Sequence, residues 1–156
     1  VDVGGGSTEF TFYSNGKVIA SKSFKKGTVR VSGKKKNSLI VKEMEDWVKS
    51  NSNDLSKISL IGSGGNINKI FKMSGMALGK PLSYIYLKTN YDFLKKMSYE
   101  DRIFELGLNP DRSDVILPAS KIYINAMKWT GADKIYVPKI GLADGIIKGL
   151  HQGKLK

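Results

Sequence analysis

The chain has 156 residues, a mass of 17.2 kDa, 40% hydrophobic and 26% charged residues, which suits one domain around one core and excludes a mainly disordered chain. It has no cysteine and a single histidine, His151, so disulfides, thiolate metal sites and most catalytic triads are excluded, and no apolar run approaches a membrane span. The formal charge is +12, almost all of it lysine, and half of that excess falls in residues 1–36, where eight basic side chains meet only Asp2 and Glu9.

Lysines are compact, strongly hydrated charges, so this surface either draws polyanions diffusely or is simply solvated. No platform of interleaved aromatics and arginines is present, which disfavours nucleic acid as a partner. The absence of cysteine fits a reducing, cytoplasmic setting. The opening at Val1, at the edge of a strand and without a signal-peptide pattern, reads as an excised piece of a longer protein.

In chain order, Val1 to Val3 predicts a short strand, Gly4-Gly5-Gly6 a turn and Thr8 to Tyr13 a second strand. Ser14-Asn15-Gly16 is a tight-turn signal, and Lys17 to Phe24 the returning strand of a hairpin. Lys34 to Lys36 reads as a basic loop. A helix capped by Asn37 or Ser38 follows, with Leu39, Ile40, Met44, Trp47 and Val48 at helical spacing and an end at Ser50 to Asp54. Ile58 to Ile61 predicts a strand that runs into Gly62-Ser63-Gly64-Gly65-Asn66 and then a short helix through Ile67, Ile70 and Phe71. Residues 74–82 predict a loop and Tyr84 to Leu87 an extended stretch; helix returns from Asn90 to Met97, and Ser98 caps another to about Leu106. Val115, Ala119, Ile122, Ala126 and Trp129 give one apolar helix face stopped by Gly131. Lys134 to Val137 is then a strand and Leu142 to Leu150 a last helix. Strands alternating with helices after an initial hairpin predict an α/β domain, a mixed sheet flanked by helices, over residues 1–156. Trp47 and Trp129, at helical spacing, belong to its core.

The two glycine clusters are the places where a ligand can reach backbone. In Asp2 to Glu9 the glycines Gly4, Gly5 and Gly6 leave room for a phosphate on inward N–H groups, with the hydroxyls of Ser7 and Thr8 beside them. Asp2 and Glu9 would repel that phosphate unless Mg²⁺ lay between. The same residues are also compatible with a plain hairpin loop carrying two solvated acids. The pattern is neither a P-loop nor a dinucleotide fingerprint.

Residues 1–10 resemble the DIGGGSTE phosphate motif of the exopolyphosphatase and guanosine pentaphosphate phosphatase (Ppx/GppA) family, within the actin-like ATPase superfamily. Lys26-Gly27-Thr28-Val29-Arg30 is similar to its GAVRL segment, and Gly62-Ser63-Gly64-Gly65-Asn66 to its GTGGT loop. Gly107 to Pro118 is similar to GLxPxRADVILPG, and Gly141-Leu142-Ala143-Asp144-Gly145 stands where the family has GLREG. Ser63 and Asn66 replace threonines, and Ala143-Asp144 replaces Arg-Glu.

The resemblance implies a ribonuclease H-like (actin-like ATPase) domain, the second lobe of a two-lobed phosphatase core. The first lobe, missing here, would supply the opposing phosphate loop and the carboxylate that activates water, so no catalytic base is assigned in this chain. What it implies is release of orthophosphate from inorganic polyphosphate or guanosine pentaphosphate. In that reading Gly4, Gly5, Gly6, Ser7, Thr8 and Arg30 hold phosphate, and Asp2 and Glu9 hold Mg²⁺. Gly62, Gly64, Gly65 and Asn66 face a nucleotide or a polyphosphate chain. Partners would be those phosphates or guanosine tetraphosphate, the missing lobe and a second copy in a homodimer; the alternative is a nucleotide, alarmone or polyphosphate binder without hydrolysis. Arg112 and Asp114 read chiefly as anchors of a helix start.

Overall fold

In the computed structural model the described residues are 1–29 and 34–153. Strands β1 (Asp2–Val3), β2 (Thr8–Ser14) and β3 (Lys17–Phe24) form an antiparallel ladder in the order β1-β2-β3. The β2–β3 turn uses Asn15 at φ 50° and Gly16 at φ 78°, the left-handed pair that a two-residue hairpin needs to match strand twist.

Helix α1 (Lys34–Ser52) leads to β4 (Leu60–Ile61) and α2 (Gly65–Met73); β5 (Leu82–Ser83), α3 (Tyr84–Lys96), α4 (Tyr99–Phe104) and α5 (Pro110–Ser113) come next. Helix α6 (Ile116–Thr130), β6 (Lys134–Tyr136) and α7 (Leu142–His151) complete the described chain. The second ladder runs β4-β6-β5, with β4 parallel and β5 antiparallel to β6. A parallel bridge from Asp2 to Ser63 joins the ladders, with Ser63 N donating to Val1 O at 3.0 Å. The mixed sheet order is thus β3-β2-β1-β4-β6-β5, and helices cover it as the alternating pattern predicts.

Three expectations are corrected. Lys34 to Lys36 is the first turn of α1 and not a loop, so Asn37 and Ser38 lie inside the helix. Tyr84 to Leu87 is the first turn of α3 and not extended. Its β-prone residues are overridden by a helix start at Ser83, whose Oγ accepts from Tyr86 N at 3.1 Å, and by burial of Leu87 and Leu94 on one face. The strand expected over Ile58 to Ile61 is only Leu60–Ile61.

Alternation decides which side of the hairpin is packed. Val3, Thr8, Phe10 and Phe24 face the core and are buried, while Asp2 and Glu9, opposite one another in register, point to the other side. Phe10 meets Phe24, Trp47 and Trp129 at ring-centre distances of 6.0, 6.5 and 6.4 Å, so both tryptophans serve the core. Helix α6 is the hub: α1, α2 and α3 all pack on it, and it buries Ile116, Ala119, Tyr123, Ala126 and Met127 completely. Arg102, 8% exposed, has no acidic partner among the described residues; its guanidinium donates to the carbonyls of Leu94, Met97 and Ser113.

Candidate functional site

The first glycine loop is fastened from behind. Thr28 N donates to Gly4 O at 3.1 Å and Val29 N to Gly5 O at 2.9 Å. Gly27 makes that approach possible, because a Cβ there would sit 2.3 Å from Gly5 O and 2.6 Å from Gly6 N. Carbonyls of the loop are therefore turned toward residues 27–29, and the amides of Gly5, Gly6 and Ser7 have no acceptor among the described residues. Side chains added at Gly4, Gly5 or Gly6 would meet only ordinary contacts or open space, and none of the three has a left-handed φ. Their bareness leaves the loop's outer face accessible, which suits an anion on backbone N–H groups.

Beside the loop, the Ser7 hydroxyl donates to Glu9 Oε1 at 2.6 Å and the Ser23 hydroxyl donates to the same oxygen at 2.8 Å. Thr8 does not join this polar surface: it is fully buried and its hydroxyl donates to Lys26 O at 2.6 Å. The expected contribution of Arg30 lies outside the described residues.

The bridge from Asp2 to Ser63 sets the second glycine loop against the first. Gly64 adopts φ 116°, and a Cβ there would lie 3.0 Å from Val3 O and 3.4 Å from both Asp2 Oδ1 and the Tyr123 hydroxyl. Only glycine fits both that backbone angle and that approach. The Tyr123 hydroxyl donates to Ser63 O at 2.5 Å. Burial, and secondly the charge of Asp2, push the Tyr123 phenol far above its ordinary value of 10.0; the backbone hydrogen bond at Val3 works the other way. Gly62 is held tight by Ile135 and Ile67.

Helix α2 starts at Gly65 with its first amides open toward this junction, the positive end of its dipole. Asn66, 8% exposed, keeps a buried Oδ1 with no hydrogen-bond partner among the described residues. Arg112 lies directly over Gly65, where a Cβ would be 2.4 Å from one guanidinium nitrogen. That guanidinium has no acidic partner among the described residues. An arginine set without an acid at a helix N-terminus is an arrangement that an anion would complete. Composition and spacing could not show that Arg112 reaches the second glycine loop, since the two are far apart in sequence. Tyr123 had a readable signal: it is three and seven residues beyond Ser120 and Ile116 on the second ridge of the same apolar face.

Asp2 and Glu9 form the acidic part of the site. Among the described residues no three carboxylate or histidine groups converge on a metal position. Two carboxylates, one with an oxygen already taken by two hydroxyls, suit Mg²⁺, which keeps waters and shares phosphate oxygens instead of filling its shell from protein. Asp144, in the last motif, caps α7 by accepting from Gly141 N at 2.8 Å.

The sequence profile described as the Ppx/GppA phosphatase family matches residues 1–153. Among solved structures, an exopolyphosphatase from Cytophaga hutchinsonii is 20% identical with a TM-score of 0.80, covering 99% of this chain and 56% of its own. The type II variant of the Aquifex aeolicus Ppx/GppA phosphatase is 24% identical with a TM-score of 0.72, covering 94% of this chain and 54% of its own. This chain therefore spans about half the length of these relatives, and the likeness establishes the actin-like ATPase fold. No curated protein sequence matches it significantly.

Proposed function

The chain belongs to the Ppx/GppA phosphatase family, and we propose that it is the second lobe of a cytoplasmic two-lobed phosphatase that releases orthophosphate from the end of polyphosphate or from guanosine pentaphosphate. The observation that carries this reading is the meeting of two glycine loops at the Asp2–Ser63 bridge, with an acidic pair on one loop and Arg112 over the other.

In that reading the Gly5, Gly6 and Ser7 amides hold the oxygens of the terminal phosphate. Thr8 and Gly27 keep the loop in shape from behind. The amides at the start of α2, Asn66 and Arg112 hold the next part of the substrate, nucleotide or chain. Phosphoryl transfer asks a protein mainly to position groups and to neutralise charge, and these groups do both. Asp2 and Glu9 would hold Mg²⁺, which when bound neutralises phosphate oxygens. The base that activates water belongs to the missing lobe. The exposed apolar side chains Ile146, Ile147 and Leu150 on α7 support such a partner.

Phosphate release measured on polyphosphate and on guanosine pentaphosphate, with this chain and with the protein carrying both lobes, tests the proposal. The expected result is turnover only with both lobes. Turnover by this chain alone at about one per second or faster, an ordinary enzyme rate, would overturn the half-site reading. A second reading, a binder without hydrolysis, is favoured by Ala143 standing where the family motif has arginine; binding without turnover in the two-lobed protein would select it.

A further inference from the structure

A groove between α1 and α6, behind the first glycine loop, holds two adjoining cavities of about 450 and 590 Å³ that share Lys26, Asn37 and Pro118. The larger lies toward the first glycine loop and is lined by Thr28, Val29, Asp111 and Asp114. The other runs along α6 past Lys121 and Asn125. Its volume equals about fifteen waters at roughly 30 Å³ each.

Charges in this groove are unevenly compensated. Lys42 and Glu45 also line it, but each is neutralised along its own helix, Lys42 by Asp46 at 2.7 Å and Glu45 by Lys49 at 2.5 Å. Lys26 and Lys121 have no acidic partner among the described residues. Burial, and then the like charge of Lys121, lower the Lys26 ammonium below its ordinary 10.5. A partly desolvated ammonium beside a second one is a cost that no acid among the described residues offsets. Asp111 and Asp114 repel an anion from the other end and confine it to the lysines.

We infer that the Lys26–Lys121 end of this groove is a separate phosphate site, seating either a distal phosphate of a condensed chain or a free orthophosphate ion. The groove shares Thr28 and Val29 with the segment that fastens the first glycine loop, but its two lysines do not belong to either loop; the identity of the anion rests on the phosphatase reading above.

The test is calorimetric titration of the chain at low salt with tripolyphosphate and with orthophosphate, for wild type, Lys26→Met, Lys121→Met and Gly6→Val, with thermal melts as a fold control. Loss of one charged contact corresponds to about tenfold or more in affinity. Each lysine variant is expected to weaken groove binding by that factor, while Gly6→Val, whose Cβ meets nothing within 4 Å, leaves the groove component intact. Tripolyphosphate binding alone assigns the site to a chain, and equal lysine sensitivity with orthophosphate assigns it to the free ion. No binding of either anion to wild type, or wild-type affinity in both lysine variants, overturns the proposal. Because Lys121 is exposed on α6, Lys121→Met keeps the test decisive if Lys26→Met perturbs the fold. A glycine-loop reading that failed would show itself differently, as unchanged phosphate release by Gly6→Val in the two-lobed protein.

Discussion

Replacing Gly27 with alanine should distort the first glycine loop from behind without touching any group on its open face. The new Cβ would lie 2.3 Å from Gly5 O, 2.4 Å from Gly5 C and 2.6 Å from Gly6 N. Ordinary contact is about 3.4–4 Å, so loop and supporting segment must separate by roughly 1 Å. Both are backbone, and neither can rotate away as a side chain would. The separation stretches the hydrogen bonds from Thr28 N to Gly4 O and from Val29 N to Gly5 O, now 3.1 and 2.9 Å. At about 1 kcal/mol net for each bond, the loss is about 2 kcal/mol. For a chain of this size that lowers Tm by roughly 4–8 °C. Thermal unfolding of Gly27→Ala beside Gly6→Ala measures it, since a Cβ at Gly6 meets nothing within 4 Å and should leave the melt almost unchanged. In the two-lobed protein Gly27→Ala should also lose phosphate release through misplacement of the Gly5 and Gly6 amides. A Gly27→Ala chain that melts like wild type, with unshifted amide resonances at Gly5 and Gly6, would refute the argument that this close approach shapes the loop.

Tyr123→Phe removes the hydroxyl that donates to Ser63 O and should cost about 1–2 kcal/mol in urea unfolding. Because the folded phenol is raised above its ordinary value, the unfolded chain alone releases that proton above about pH 10; stability present below that pH falls by about 1.4 kcal/mol per pH unit above it. The variant should lack that part of the alkaline slope, and an unchanged slope would place the effect elsewhere. Arg102→Lys leaves one ammonium to serve the carbonyls of Leu94, Met97 and Ser113, and should destabilise by about 3 kcal/mol; a melt equal to wild type would show that this buried guanidinium is not stabilising. Glu9→Gln keeps size and both hydroxyl contacts, so stability should stay within about 0.5 kcal/mol. In the two-lobed protein its phosphate release should fall by orders of magnitude and recover in part as Mg²⁺ is raised. Wild-type rates at every Mg²⁺ concentration would remove Glu9 from the metal's ligands.

Local rules carried the sequence a long way. The Asn15-Gly16 turn, the cap at Ser98, the stop at Gly131 and the apolar face of α6 depend on neighbours within a turn or two, so each was readable from a short window. The same windows failed where partners lie farther away. Tyr84 to Leu87 is β-prone by itself and helical because Leu87 and Leu94 pack into the core. At the site, the sequence shows two glycine clusters and two acids, and strand alternation accounts for Asp2 and Glu9 sharing one side of the hairpin. Only the tertiary structure decides that Ser63 pairs beside Asp2 and that Arg112 covers Gly65. Those positions follow from sheet order and helix packing, which are set by contacts between residues tens of positions apart. Gly27 shows the difference plainly: its identity is one letter of a loop, and its reason is the backbone of Gly5, which folding alone brings within reach.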